Sequence, residues 1–244
     1  PGAGRIGKVL GPMVKEGRLK LQTVDPAGEQ FLARIHADGA LPAVRGDFAG
    51  LVTQNASGNK IELFLHRSLK YESVVDPVTG TVHAVATITL RNDAPASGLP
   101  DYVINGSGSD PTPPGHYRGV VSFYTPLALQ RASIDGAPMT PVTETELGRN
   151  VITRVVDLDS GGTATIRLEL AGPVVLPKVD GGRRYRLTVW HQATIEPDEV
   201  SLEVAGKPSA GLDNPRGLQE QGSGAVREAR PEQDLRVGVT VERP

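Results

Sequence analysis

From residue 60 to residue 90 apolar and polar side chains alternate with a period of two, and Asp76-Pro77-Val78-Thr79-Gly80 interrupts the alternation once. Ile61, Leu63 and Leu65 fall on one face of the first run, and Val82, Ala84, Ala86, Ile88 and Leu90 on one face of the second. Side chains two apart in a strand point the same way, so the pattern demands an antiparallel pair with one buried face, joined by a loop whose Gly takes positive φ. Whatever folds around this hairpin must supply a facing layer. Phe, Tyr and Trp number only 4, 5 and 1 in 244 residues, so that layer is built from Val, Leu, Ile and Ala.

Further strands are expected at 118–124, 127–134, 150–156, 163–170, 185–190, 200–205 and 235–241, with turns at Asp135-Gly136, Ser160-Gly161-Gly162 and Asp180-Gly181-Gly182. Short strands so spaced, with no helical period among them, predict a mainly β chain whose residues 49–244 form an antiparallel immunoglobulin-like β-sandwich. Residues 1–48 read as a small α/β segment, the end of a domain lying further upstream. Residues 18–23 alternate like a strand. Asp25 then caps a helix with Pro26 at its first position, Phe31, Leu32 and Ile35 at helical spacing, and an end near His36 before Asp38-Gly39.

Two stretches break the rhythm. Residues 92–117 form a loop too long to be a connector. Asp93 and Asp101 are expected to bond its backbone, Leu99 and Tyr102 to be buried, and residues 106–114 to move. Residues 206–233, polar and Gly-rich, are expected to be a flexible excursion before a last strand.

Charge and composition narrow the function. Lys and Arg total 26 against 28 Asp and Glu, a formal charge of −2, so the chain lacks the basic excess of a nucleic-acid binder. The absence of Cys removes disulfides, thiolate metal sites and Cys nucleophiles. The five His residues, 36, 66, 83, 116 and 191, show no metal-ligand spacing, and no Gly-x-Ser-x-Gly elbow is present. Asp157-Leu158-Asp159-Ser160-Gly161-Gly162 lacks the later ligand positions of a Ca²⁺ loop and reads as a hairpin turn. No catalytic residue, metal site or cofactor is therefore assigned. Trp190, in an expected strand, reads as core.

Several stretches resemble an actinobacterial cell-envelope family, catalogued as domain of unknown function 4012. They are Gly46-Asp47-Phe48, Val52-Thr53-Gln54-Asn55-Ala56, Asn59-Lys60-Ile61, Leu90-Arg91-Asn92-Asp93-Ala94-Pro95, Ser97-Gly98-Leu99-Pro100-Asp101-Tyr102-Val103, Leu147-Gly148-Arg149-Asn150-Val151 and Tyr185-Arg186-Leu187. The likeness runs over roughly residues 18–204. It implies the extracytoplasmic C-terminal portion of a membrane-anchored parent, whose membrane-spanning helix and mixed domain would precede this chain. It carries no reaction.

Candidate binding residues are Arg91, Asn92, Asp93, Asp101, Tyr102, Arg149 and Asn150, because fixed Arg and Asn donors at a loop edge suit sugar hydroxyls or carboxylates. The competing reading is that Arg91 or Arg149 pairs with Asp93 or Asp101 and simply locks the loop. The expected role is a non-catalytic structural or assembly module. Its partners would be an envelope protein, a glycan or copies of itself, with no nucleic acid. The alternative is a carbohydrate-active or carbohydrate-binding protein of envelope polysaccharide handling.

Overall fold

A computed structural model describes residues 3–43, 45–106, 112–208 and 210–242. In chain order the elements are α1 (Ala3–Lys15), α2 (Pro26–Arg34), β1 (Asp47–Asn55), a 3-10 turn (Ile61–Phe64), β2 (Leu65–Val75), β3 (Thr81–Asn92) and α3 (Asp101–Ile104). There follow β4 (Tyr117–Thr125), β5 (Ala128–Ile134), β6 (Ala137–Pro138), β7 (Val142–Glu146), β8 (Arg149–Leu158), β9 (Thr163–Pro173) and β10 (Lys178–Val179). The chain continues through β11 (Gly182–Trp190), β12 (Glu199–Gly206), β13 (Leu212–Arg216), β14 (Gln219–Gln221), β15 (Gly224–Ala229) and β16 (Leu235–Glu242). The protein is mainly β.

The hairpin that alternation demanded is present. β2 and β3 pair antiparallel from Val75↔Val82 to Leu65↔Asn92. Asp76 closes their loop by accepting from the backbone N–H of Val78 at 2.9 Å and of Thr79 at 3.2 Å, and Gly80 takes φ +79°. Residues 61–64, expected to begin the first strand, instead form the 3-10 turn.

Two sheets face each other. The first runs β13-β16-β11-β1-β4-β8-β7, with β10 beside β11, and the second runs β14-β15-β12-β2-β3-β9-β5-β6. Neither is purely antiparallel, which corrects the antiparallel, immunoglobulin-like expectation: β1 runs parallel to β11, and β12 parallel to β2. Alternation fixes which face of a strand is buried but not which strand lies beside it, so these pairings were beyond its reach.

Between the sheets lies one apolar core. Leu51, Val121, Phe123, Ile152, Leu187 and Val239 come from the first sheet, and Leu69, Ile88, Leu168, Leu202 and Val204 from the second. The Tyr71 and Phe123 rings stack across the gap with centroids 6.4 Å apart.

The ends of the chain depart from expectation. Residues 18–23 form no strand, although they alternate. α2 is capped as expected, the Asp25 carboxylate accepting from the Gly28 N–H at 2.7 Å, and it ends at Arg34 with His36 at φ +56°. Of its expected buried face only Leu32 is enclosed, while Phe31 and Ile35 are exposed. Residues 206–233 are not a loose excursion, since β13, β14 and β15 lie within them and extend both sheets. No helix among the described residues is long and apolar enough to cross a membrane.

Leu69 is 1% exposed at the centre of β2. Truncating a side chain so enclosed leaves a cavity as well as losing transfer free energy. Leu69→Ala is expected to lower unfolding free energy by about 2–5 kcal/mol in urea titration; a loss below about 1 kcal/mol would mean that the two sheets are not packed there.

Candidate functional site

Two groups of hydrogen-bonded polar side chains lie between the sheets. Arg67 projects inward from β2, in phase with Leu65, Leu69 and Tyr71. Its Nε and one terminal nitrogen donate to the two oxygens of Asp198, at 2.7 and 2.9 Å, and the other terminal nitrogen donates to Thr53 Oγ1 at 2.8 Å and Gln192 Oε1 at 2.5 Å. Gln192 also donates to the Thr53 carbonyl at 2.8 Å and accepts the Thr53 N–H at 2.9 Å. The Arg67 and Asp198 side chains are only 2% and 9% exposed. Gln192 and Asp198 both sit on the crossing from β11 in the first sheet to β12 in the second. Arg67 therefore pins that crossing to β1 and β2.

A second polar group links the sheets at Asp47, where β1 begins. One of its oxygens accepts from the Tyr185 hydroxyl at 2.6 Å and the Tyr71 hydroxyl at 2.9 Å, and the other from the Phe48 N–H at 2.8 Å. Burial pushes the Asp47 carboxyl up to about 6, against the lowering effect of these three donors. The same burial, with the Asp47 charge alongside, holds both Tyr hydroxyls well above their ordinary range. A raised carboxyl is what acid–base chemistry uses, but Asp47 is 2% exposed, and a proton donor needs a reachable substrate atom. A small apolar void of about 10 Å³ between the sheets, beside Ile88, Phe123, Ile166 and Leu168, has room for one water at most.

The candidate residues drawn from the sequence divide between opposite ends of the sandwich. Leu158 pairs with Tyr117 and Asn150 with Thr125, so the Arg149 end and the Asp157 end of β8 stand about 26 Å apart at ~3.3 Å per residue. Arg149 therefore does not pair with Asp93 or Asp101.

At the loop end Asn92 is fully buried. Its amide donates to the carbonyls of Gly115, Leu158 and Asp159, at 2.7, 3.2 and 3.1 Å, and its oxygen accepts the Ala94 N–H. Among the described residues, the Asn92 side chain bonds the loop backbone and the Asp93 side chain does not. Asp93 instead meets Arg91 at 2.9 Å and His66 at 3.2 Å, on the surface. Asp101 opens α3, in which Val103 and Ile104 are buried. Tyr102, expected inside, is 71% exposed, and Leu99 is also exposed. Residues 107–111, the centre of the segment expected to move, lie outside the described residues.

His116 fastens the far end of the loop. Its Nδ1 lies 2.9 Å from Asp159 and its Nε2 3.0 Å from Asp157, which also accepts from Arg118 Nε at 2.6 Å. Burial favours the neutral imidazole, but hydrogen bonds to the two carboxylates outweigh it and raise the His116 pKa. Asp157 is lowered: burial opposes its charge and the His116 and Arg118 hydrogen bonds overcome that.

At the other end Arg149 is a strut. It is 4% exposed, its guanidinium lies 4.6 Å over the Phe48 ring, and it donates to the carbonyls of Pro42 and Leu147. Asn150 donates to the Leu127 carbonyl at 2.9 Å. Beside them Tyr124 donates to Glu146 at 2.8 Å and meets the Trp190 ring edge-on at 6.0 Å. Trp190, expected in the core, lies half-buried on the outer face of the first sheet, level with Gly50.

Sequence reading missed Arg67, Asp198, Asp47 and Gln192. Only Arg67 left a signal there, as a charge falling in phase with the apolar face of a strand.

No family model and no curated protein matches the chain. Among solved structures it is similar to a candidate nutrient-binding protein from Legionella pneumophila, at 10% identity and TM-score 0.48, over 81% of this chain and 72% of that one. Leukotriene A4 hydrolase from Saccharomyces cerevisiae is matched at 12% identity and TM-score 0.42, over 72% of this chain and 28% of that one. An M1 zinc metallopeptidase from Deinococcus radiodurans is matched at 14% identity and TM-score 0.38, over 72% and 42%. The chain spans less than half the length of these two enzymes.

Two titrations are separable by pH. The Asp47 carboxyl is raised, so its contribution to stability is complete below its ordinary value of 3.8 and is lost as pH rises through about 6. The His116 pKa is raised above 6.5, so its contribution is complete below that value and is lost as pH rises through the higher folded value. Denaturation of parent, Asp47→Asn and His116→Gln across pH 3.5–9 is expected to differ in slope between about 4 and 6 for the first variant and above about 6.5 for the second. Parallel curves would refute both assignments.

Proposed function

We propose that the chain is a non-catalytic, extracytoplasmic structural or assembly module of a cell-envelope protein, making contacts with a protein partner or a glycan. The observation that carries the non-catalytic reading is the use to which the buried ionisable groups are put. Arg67 bonds to Thr53 and Asp47 to Tyr71 across the gap between sheets, Asp198 is held by Arg67, and all three are closed to solvent, so their chemistry has no substrate within reach. The groups left exposed, such as Tyr102 on α3, stand on connections held by a rigid scaffold, where recognition usually resides. Placement in the envelope rests on the resemblance of residues 18–204 to the actinobacterial family.

One observation favours a glycan over a protein as partner. The Tyr124–Trp190 pair with Glu146 puts aromatic surface and a carboxylate side by side on an outer sheet face, a combination suited to stacking against a sugar ring and bonding its hydroxyls.

The test is to incubate the full chain with an isolated envelope glycan fraction, measuring both reducing ends released and protein co-sedimented. Co-sedimentation without release is expected, with binding weakened about tenfold by Trp190→Ala at unchanged melting temperature. Reducing ends appearing above the buffer level would overturn the non-catalytic reading. Absence of co-sedimentation would overturn the glycan contact.

A further inference from the structure

A groove of about 840 Å³ runs between α1 and the β15–β16 connection, lined on the helix side by Gly7, Lys8, Gly11 and Lys15 and on the other by Arg227 and Arg230. It is separate from the inter-sheet ties and from both loop ends described above. A concavity of this size suits a small ligand or a short oligomer.

The charges in it are unevenly matched. Arg230 pairs with Glu199 at 2.7 Å, Glu16 is taken by Arg18 at 3.0 Å, and Asp234 accepts the His191 N–H and lies 3.9 Å from Arg236. Lys8, Lys15 and Arg227 make no ion pair among the described residues, and the Arg227 Nε is buried with no hydrogen-bond partner there. Glu232 is the one lining carboxylate without a partner among the described residues, so two positive charges remain uncompensated. Arg227 pairs with Leu202 in the ladder, and Leu202 is a core residue, which puts the guanidinium on the inward side of a strand near the sheet margin. A buried, unsatisfied charged donor is costly, and an anion in the groove would satisfy it.

The helix face supplies the spacing and the floor. Lys8 and Lys15 are seven residues apart, two turns, and thus about 10 Å apart along the same side. Gly7 and Gly11 lie between and beside them, and a Cβ at either position would meet nothing within 4 Å. The floor is therefore bare backbone with open space above it.

We propose that this groove binds an elongated anionic oligomer of phosphate or carboxylate groups, gripped by Lys8 and Lys15 along the helix and by Arg227 from the strand. The chain's overall charge of −2 and the groove's size restrict the ligand to a short oligomer, not a nucleic-acid duplex.

The test is calorimetric titration of the full chain with two probes, inorganic tripolyphosphate and trigalacturonate, at 20 and 150 mM salt. Saturable binding of at least one probe is expected, weaker at the higher salt because the lysines are exposed. Which probe binds assigns the anion to phosphate or carboxylate. Lys8→Ala/Lys15→Ala and Arg227→Gln are each expected to weaken binding at least tenfold. Gly11→Leu, which keeps every charge and improves helix propensity, is expected to block the groove and do the same. Lys178→Ala, on β10 outside the groove, is expected to bind like the parent. Absence of saturable binding by either probe, or equal affinity in the parent and all three groove variants, would overturn the proposal.

Discussion

A guanidinium and a carboxylate enclosed between two sheets set the terms for the rest of this molecule. Taking Arg67 and Asp198 out of water is expensive, and their attraction repays it only when geometry is good and the remaining donors are satisfied. Here the pair is bidentate, and the other guanidinium nitrogen is taken by Thr53 and Gln192. The partners come from β1, β2 and the crossing between β11 and β12. Those are the strands that form the two parallel pairs, β1 with β11 and β12 with β2. A parallel pair cannot be closed by a tight turn, so its alignment must come from elsewhere. The Arg67 network supplies a fixed point at the place where the chain changes sheets.

Asp47 repeats the device at the start of β1, with hydroxyls from β2 and β11. Both networks thus hold the same strands. Their burial fixes the two layers against one another at the start of β1 and at the crossing between sheets.

The alternation of apolar residues made β2, β3, β4, β9, β11, β12 and β16 legible, because each buries one face fully against the core. It failed for β13 to β15. Those strands lie at or near the sheet margins and are mostly polar, so their ladders carry little hydrophobic signal. It also misled at residues 18–23, where alternation exists with no neighbouring strand to pair. Trp190 shows the same limit from the other side: its strand was legible, but its outward phase follows from the inward packing of Tyr185, Leu187 and Val189. At the candidate sites, the sequence reading rested on Arg and Asn as residues with fixed donors. Asn92, Arg149 and Asn150 turn those donors on backbone carbonyls, a choice of partner that only spatial neighbours decide.

A double-mutant cycle on Arg67→Met and Asp198→Leu, followed by urea denaturation, tests the anchoring of the crossing between sheets most directly. Each single change leaves one buried charge without its partner and is expected to cost about 3–5 kcal/mol, while the double variant recovers a large part of that loss. Additive effects, or single variants within about 0.5 kcal/mol of the parent, would show that the crossing is held without this pair.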